Sequence, residues 1–195
     1  MSNTNILYSQ IYRRIDKARV RTDIPEDVKL APVSFYNRQP HKTQMRAGIL
    51  PYTIYQNRLY FGFGIDNQTS DLTDFGGGVQ IKDNDPINAA IREFREESLG
   101  VFEPLWSNDL NGQYIIYNNK TLIVLLYCGD VNPLEITQTF NNKVTARSEV
   151  KGIIWLSAEA LRDSLDNYGY RIYSRVRNLL KSPIVYQTLV PTLLK

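Results

Sequence analysis

Three glutamates in Arg92-Glu93-Phe94-Arg95-Glu96-Glu97 are the residues of this 195-residue chain best spaced to do chemistry. Glu93, Glu96 and Glu97 stand at i, i+3 and i+4, so a helix would gather them on a sector roughly 100° wide. Like charges at that spacing repel, by roughly 0.2–0.5 kcal/mol per pair on an exposed helix. A hard divalent cation reverses the sign, because Mg²⁺ and Mn²⁺ prefer several carboxylate oxygens, and one of these two is the expected occupant. Arg92 can pair with Glu96 across one turn, which would hold Glu96 and leave Glu93 and Glu97 freer as ligands. Ahead of this segment Gly76-Gly77-Gly78 carries no side chains, so its backbone can approach a metal or a phosphate closely.

The elements that must position these residues follow from the pattern around them. Leu7, Ile11 and Ile15 give residues 5–18 a helical apolar stripe, and the proline-containing stretch 22–43 reads as an extended connector. Two units of organisation result: residues 1–45 as helix and connector, and residues 46–195 as the main domain. Within the latter, AGILPYTIY and LYFGFGI flank a turn at Gln56-Asn57-Arg58 and predict a hairpin. Residues 66–74 read as a loop and 75–78 as a glycine-rich turn. Asp85-Pro86 is an N-cap followed by proline at N1, so a helix is expected from Pro86 to about Leu99, packing through Ile87, Ala90, Ile91 and Phe94. Strands are expected at 101–106, 112–118, 121–128 and 150–156, with a turn at Asn118-Asn119-Lys120 and helices at 158–166 and 170–181. Strands, a helix, strands and then helices suggest an α/β mixed sheet sandwiched between helices, with an N-terminal helical extension and a C-terminal helix.

Composition excludes several other machines. The lone cysteine, Cys128, ends an apolar strand and reads as a buried structural thiol, which fits a reducing, cytoplasmic setting. The lone histidine, His41, sits in a polar loop. Neither supports Cys/His nucleophilic chemistry. No apolar run is long enough to span a bilayer, and no membrane partner is expected. The net charge of +3 is unevenly spread: residues 1–46 carry nine Lys/Arg and four Asp/Glu, residues 161–195 six and two, and the centre eight and fourteen. An acidic centre between basic flanks suits a metal site acting on a phosphorylated substrate, although a solvated surface would show the same pattern.

Gly78, five residues, Asn84, seven residues, Arg92-Glu93-Phe94-Arg95-Glu96-Glu97 and then Gly100-Val101 resembles the Nudix box, G-x5-E-x7-R-E-U-x-E-E-x-G-U with U a bulky apolar residue. Gly78, Arg92, Glu93, Phe94, Glu96 and Glu97 match in register, and the family's flanking strands fit residues 46–156. Two positions depart: Asn84 replaces a glutamate that helps support the site, and Ser98-Leu99 stands where one residue is usual. The resemblance implies a Nudix fold and a pyrophosphohydrolase that uses Mg²⁺ or Mn²⁺ to cleave a diphosphate by attack of water on phosphorus. Carried over residue by residue, it implies a site of Arg92, Glu93, Glu96 and Glu97, with Gly77 and Gly78 beside the metal. The general base stays open between the helix and Glu149, which resembles the late glutamate of the messenger-RNA decapping branch and reads equally as an exposed strand-edge carboxylate.

Three substrate readings remain. A phosphorylated nucleotide partner that is an RNA 5′ end or cap is favoured weakly by the basic terminal helix residues Arg171, Arg175 and Lys181 and by abundant tyrosine. Those arginines read more readily as the solvated side of a helix packed through Ile172, Val176, Leu179 and Leu180. A small-molecule nucleotide, dinucleoside polyphosphate or diphosphoinositol phosphate needs only a closed pocket, and the triple glycine also occurs in the diphosphoinositol branch. A catalytically weak binding module is suggested only by Asn84 and the extra residue.

Overall fold

The computed structural model describes residues 27–40, 42–102, 110–167 and 169–194. The expected helix at 5–18, His41 and most of the expected strand at 101–106 lie outside them. Strands β2 (Arg46–Tyr55) and β3 (Arg58–Asp66) form the expected hairpin. Gln56 and Asn57 both adopt positive φ, 50° and 60°, the two-residue turn whose twist matches that of paired strands. β2 is central. It runs parallel to β7 (Thr121–Tyr127) on one side, and on the other it pairs antiparallel with β5 (Phe75–Gly78) along its first half and with β3 along its second. Beyond β7 lie β6 (Tyr114–Tyr117) and β1 (Lys29–Pro32); β3 also pairs with β4 (Leu72–Thr73) and β8 (Val150–Ser157). The sheet is mixed.

Alternation along β2 sends Ala47 and Ile49 to one face and Leu50 and Tyr52 to the other, and each face is covered. On the first lie α1 (Val33–Asn37), α2 (Pro86–Glu97) and α3 (Pro133–Asn141); on the second lie α4 (Ala158–Asn167), α5 (Ser174–Leu180), a wide turn at Val185–Leu189 and α6 (Val190–Leu193). This is the sheet between helices that the sequence predicts. Ile87, Ala90, Ile91 and Phe94 are buried on α2 as expected, and Ile172, Val176, Leu179 and Leu180 are buried likewise. Phe75 of β5 meets Phe94 of α2 edge-on at 5.4 Å, and Phe94 lies 5.1 Å from Phe102. Each such buried ring contributes about 1.5–3 kcal/mol, so the glycine strand and the glutamate helix are fastened through their aromatics.

Four expectations are corrected. Residues 75–78 form a strand rather than a turn: Gly76 lies against Gly48 so closely that backbone pairing succeeds where strand propensity is poor, with Phe75 as the anchor. Part of the connector is regular, because Lys29–Pro32 pairs with β6 and the following five residues form α1. Val101 and Phe102 belong to no strand; Phe102 packs on the aromatic cluster instead. The helix expected from residue 170 begins at Ser174, since Ile172 is extended and bridges Leu72. One helix, α3, was not anticipated, although Asn132 caps it through the Leu134 amide and Pro133 takes its first turn, the same signal that marks α2.

A Cβ added at Gly76 would sit 2.4 Å from Gly48 Cα and 2.6 Å from the Ala47 carbonyl oxygen, both backbone atoms that cannot give way. Gly76→Ala should therefore destabilise the fold by at least the roughly 1–3 kcal/mol of an overpacked core, read as a lower midpoint of urea unfolding.

Candidate active site

The site forms where α2 crosses the edge of β5. Asp85 caps the helix by accepting a hydrogen bond from the Ile87 amide at 2.7 Å, and its carboxylate is also held by Lys42. From that start the helix lays two of its three glutamates on the glycine strand. Glu97 accepts a hydrogen bond from the Gly76 amide at 2.8 Å, and the Glu93 carboxylate occupies the space a Gly77 side chain would take, 2.5 Å from the position of an added Cβ. The glycines do permit a close approach, and what approaches is the helix's own pair of carboxylates. Gly78 opens to free space.

Arg92 behaves differently from expectation. Its guanidinium donates through Nε to Asp83 Oδ1 at 2.8 Å and through Nη2 to Asp83 Oδ2 at 3.0 Å, and also to Glu93 at 2.7 Å and the Gly78 carbonyl at 3.1 Å. Glu96 is only 3.5 Å from it in a looser ion pair and remains 60% exposed, so Arg92 holds Glu93 more firmly than Glu96. Hydrogen bonds to Asp83 raise the Arg92 pKa further above its ordinary value, and those same bonds hold Asp83 below the usual carboxylate range. Asp83 answers the question raised by Asn84. Asn84 closes a short 3₁₀ turn, Ile81–Asp83, in the left-handed region at φ 59°, and the carboxylate missing at 84 is supplied one residue earlier. The other departure is harmless to the ligands: Ser98 ends the helix after Glu97, and Leu99 and Gly100 turn the chain at φ 55° and 62°.

Beneath Glu97 lies an ion pair absent from the sequence reading. Arg46 of β2 binds Asp74 at 2.5 and 2.9 Å, donates to the Gly76 carbonyl at 3.0 Å, and is covered by the Tyr173 ring at 5.3 Å. The side chains are 6% and 0% exposed, and Asp74 fills the space above Gly48, 2.1 Å from where a Cβ would be. Gly76 is thus held at both of its backbone groups, its carbonyl by Arg46 and its amide by Glu97. The available signal was an arginine opening an otherwise apolar strand and an aspartate two residues before Gly76.

Burial, reinforced by the charges of Asp74 and Glu93, pushes the Glu97 carboxyl up to about 8, against the opposing Gly76 amide and Arg46. Glu149 is exposed just before β8, its carbonyl accepting from the Asn67 amide at 2.8 Å. Cys128 is half-buried rather than buried, and desolvation pushes its thiol up to about 12. Among the described residues no helix is long and apolar enough to cross a membrane.

Among the described residues no three His, Cys, Asp or Glu side chains are already arranged to hold a metal ion. A Mg²⁺-type cation does not require three, since it is commonly held by one or two carboxylates with water and phosphate completing the octahedron. Glu93 and Glu97 fit that requirement: two carboxylates on a glycine-lined strand, one of them pushed up to about 8 chiefly by burial.

No protein-family model matches the chain, and no curated protein matches it. Solved structures resemble it in outline. An Ap4A hydrolase from C. elegans is 16% identical over 77% of this chain and 99% of its own, with a TM-score of 0.44. RenU, a Nudix hydrolase from M. smegmatis, is 11% identical over 78% and 87%, at 0.42. A bifunctional NMN adenylyltransferase/ADP ribose pyrophosphatase from Francisella tularensis, solved with AMP and a manganese ion, is 15% identical over 79% and 44%, at 0.40. Likenesses of this size say nothing of what this chain acts on.

A proton on Glu97 must leave before a cation can bind there. Cation affinity should therefore climb up to about tenfold per pH unit from pH 6 and level off above the Glu97 value of about 8, which Mn²⁺ titration at fixed ionic strength would follow. The linkage to folding has the opposite trend: between 4.5 and about 8 the folded chain keeps a proton the unfolded chain has lost, so metal-free stability falls as pH rises through that window. Gly77→Ala should displace only the Glu93 carboxylate, a flexible end, and so weaken Mn²⁺ binding while leaving the unfolding midpoint nearly unchanged.

Proposed function

We infer that this chain is a Nudix-type pyrophosphohydrolase that cleaves the diphosphate of a nucleoside diphosphate-linked substrate. The observation that carries the reading is the seating of Glu93 and Glu97 on the Gly76-Gly77 backbone, with the box arginine fixed by a carboxylate supplied from Asp83. Because that carboxylate is present after all, Asn84 no longer favours a binding module without catalysis.

A divalent cation held by Glu93 and Glu97, with Glu96 able to swing in from solvent, would neutralise diphosphate charge and lower the pKa of an attacking water. The chain's own contributions are positional. Arg92 orients Glu93, the Gly76 amide orients Glu97, and open Gly78 leaves room for a phosphate beside the strand. Glu96 and Glu149 are both exposed carboxylates free to take the proton from water, and comparing Glu96→Gln with Glu149→Gln assigns the base. The variant lacking it should lose at least about a hundredfold in kcat, within the range general base catalysis supplies.

For the substrate, a compact nucleotide and an RNA 5′ end both suit this chemistry. Arg175 and Lys181 are exposed and support a polymer track, whereas Arg171 is already paired with Asp71 at 2.7 Å. Capped RNA, ADP-ribose, dinucleoside polyphosphates and diphosphoinositol phosphates, each incubated with Mg²⁺ or Mn²⁺, test the activity. Release of a phosphorylated product from at least one is expected, and Glu93→Gln or Glu97→Gln should abolish it. Turnover surviving the double change Glu96→Gln, Glu97→Gln would remove the site from consideration. A steep fall of affinity with salt would identify the polymer, and a shallow one the small nucleotide.

A further inference from the structure

A cavity of about 290 Å³ opens between α1, the segment that follows it and the β6–β7 turn. Its back wall is a closed network of buried groups. The Tyr36 hydroxyl donates to Gln44 Oε1 at 2.6 Å, Gln44 Nε2 donates to the Asn118 carbonyl at 2.7 Å, and Asn118 Oδ1 accepts the Lys120 and Thr121 amides at 2.9 and 2.8 Å. These groups are committed to one another and hold the wall rigid. The mouth is the reverse. Tyr117, half-buried, stands edge-on to Tyr36 at 5.2 Å, while among the described residues the side-chain amides of Gln39 and Asn119 have no hydrogen-bond partner.

The lining of the mouth points to the ligand. Lys29 lies 3.6 Å from Asp27 and Lys42 is engaged by Asp85, so these two cations already face carboxylates. What remains is an aromatic surface with two amides, each offering a donor and an acceptor. That is the chemistry that stacks a nucleobase and reads its edge. The volume is at the small end for ligand sites, which suits one base with its sugar.

The cavity and the glutamates are joined by the start of β2. Lys42 lies over the Tyr36 ring at 5.0 Å while binding the cap of α2, and the Met45 carbonyl accepts the Val79 amide at 2.9 Å immediately after Gly78. Gln44 and Ala47, which pairs with Gly77, are three residues apart, on the order of 10 Å along an extended chain. A sugar and a diphosphate can bridge that interval.

We propose that this cavity holds the nucleobase of the substrate, stacked on Tyr117 and read by Gln39 and Asn119, while the diphosphate reaches Glu93 and Glu97. The assignment rests on the hydrolase reading for its second half only; base binding stands on the cavity itself. The two can therefore fail separately. AMP, GMP, CMP and UMP would each be titrated against the whole chain without metal, followed by saturation-transfer NMR, with the base protons giving the signal. At least one should bind through its base. Tyr117→Ala and, as a milder change in an exposed turn, Asn119→Ala should weaken that binding about tenfold, the lower end of a base-stacking contribution, while Tyr117→Phe retains it. In hydrolysis the same two variants should raise KM about tenfold with kcat within about twofold, a split that general loss of structure does not produce. Binding of none of the four nucleotides, or binding unchanged in both Tyr117→Ala and Asn119→Ala, overturns the proposal. Base binding as expected without any diphosphate hydrolysis leaves the cavity assigned and overturns the reading of the carboxylate site.

Discussion

The contact on which the rest depends is the approach of two backbones, Gly48 of β2 and Gly76 of β5, to a separation no side chain would tolerate. Above Gly48 the freed volume is taken by Asp74, and across Gly77 by Glu93. Three carboxylates, those of Asp74, Glu93 and Glu97, are thereby brought against one short strand with Arg46 as the buried counter-charge. The cluster is close to balanced near neutrality, since Arg46 pairs with Asp74, Arg92 pairs with Glu93 and burial pushes the Glu97 carboxyl up to about 8. It is held by what surrounds it: the Phe75–Phe94–Phe102 rings on one face of the sheet and the Tyr173 ring over Arg46 on the other. The glycine strand is therefore the place where both helical layers meet the sheet.

The buried pair of Arg46 and Asp74 belongs to a class of interaction whose net contribution to stability is small, because desolvation offsets most of the attraction. Its value here is positional. Arg46 fixes the Gly76 carbonyl while the Gly76 amide, in the preceding peptide unit, donates to Glu97, so two consecutive peptides of the strand are held by side chains. Asp74 adds negative charge beside Glu97 without being free to coordinate, since both its oxygens are engaged by Arg46. A cation arriving at Glu97 relieves a repulsion built in by residues that do not touch it.

Sequence carried the local features well. The three-glutamate spacing, the Asp85-Pro86 helix start, the hairpin at Gln56-Asn57 and the buried stripe of α2 all depend on residues near one another in the chain, and all are found. What it did not carry depends on contacts across the fold. Glycine has low strand propensity, so Phe75–Gly78 reads as a turn until β2 is seen beside it. The Arg46–Asp74 pair joins residues 28 apart, and nothing in either neighbourhood names the other. The Arg92–Glu96 pair that helical spacing offers does form, but the 3₁₀ turn before α2 brings Asp83 closer and in bidentate geometry, a partner the spacing does not name. α3 is the exception, a helix whose Asn132-Pro133 start was plain in the chain.

The displaced carboxylate has a consequence for how such sites are encoded. A negative charge has moved one step along the polymer while staying beside the same guanidinium, because Asn84 takes a backbone shape that few residues adopt easily and so redirects its predecessor inward. The information specifying the site is then a location in space and not an address in the chain. A template of fixed intervals discards this sequence at position 84, while a template of charges around Arg92 retains it. Restoring glutamate at 84 would give Arg92 a rival acid and exchange the left-handed turn for a residue that resists it, so the familiar letter would disturb the arrangement that the unfamiliar one preserves.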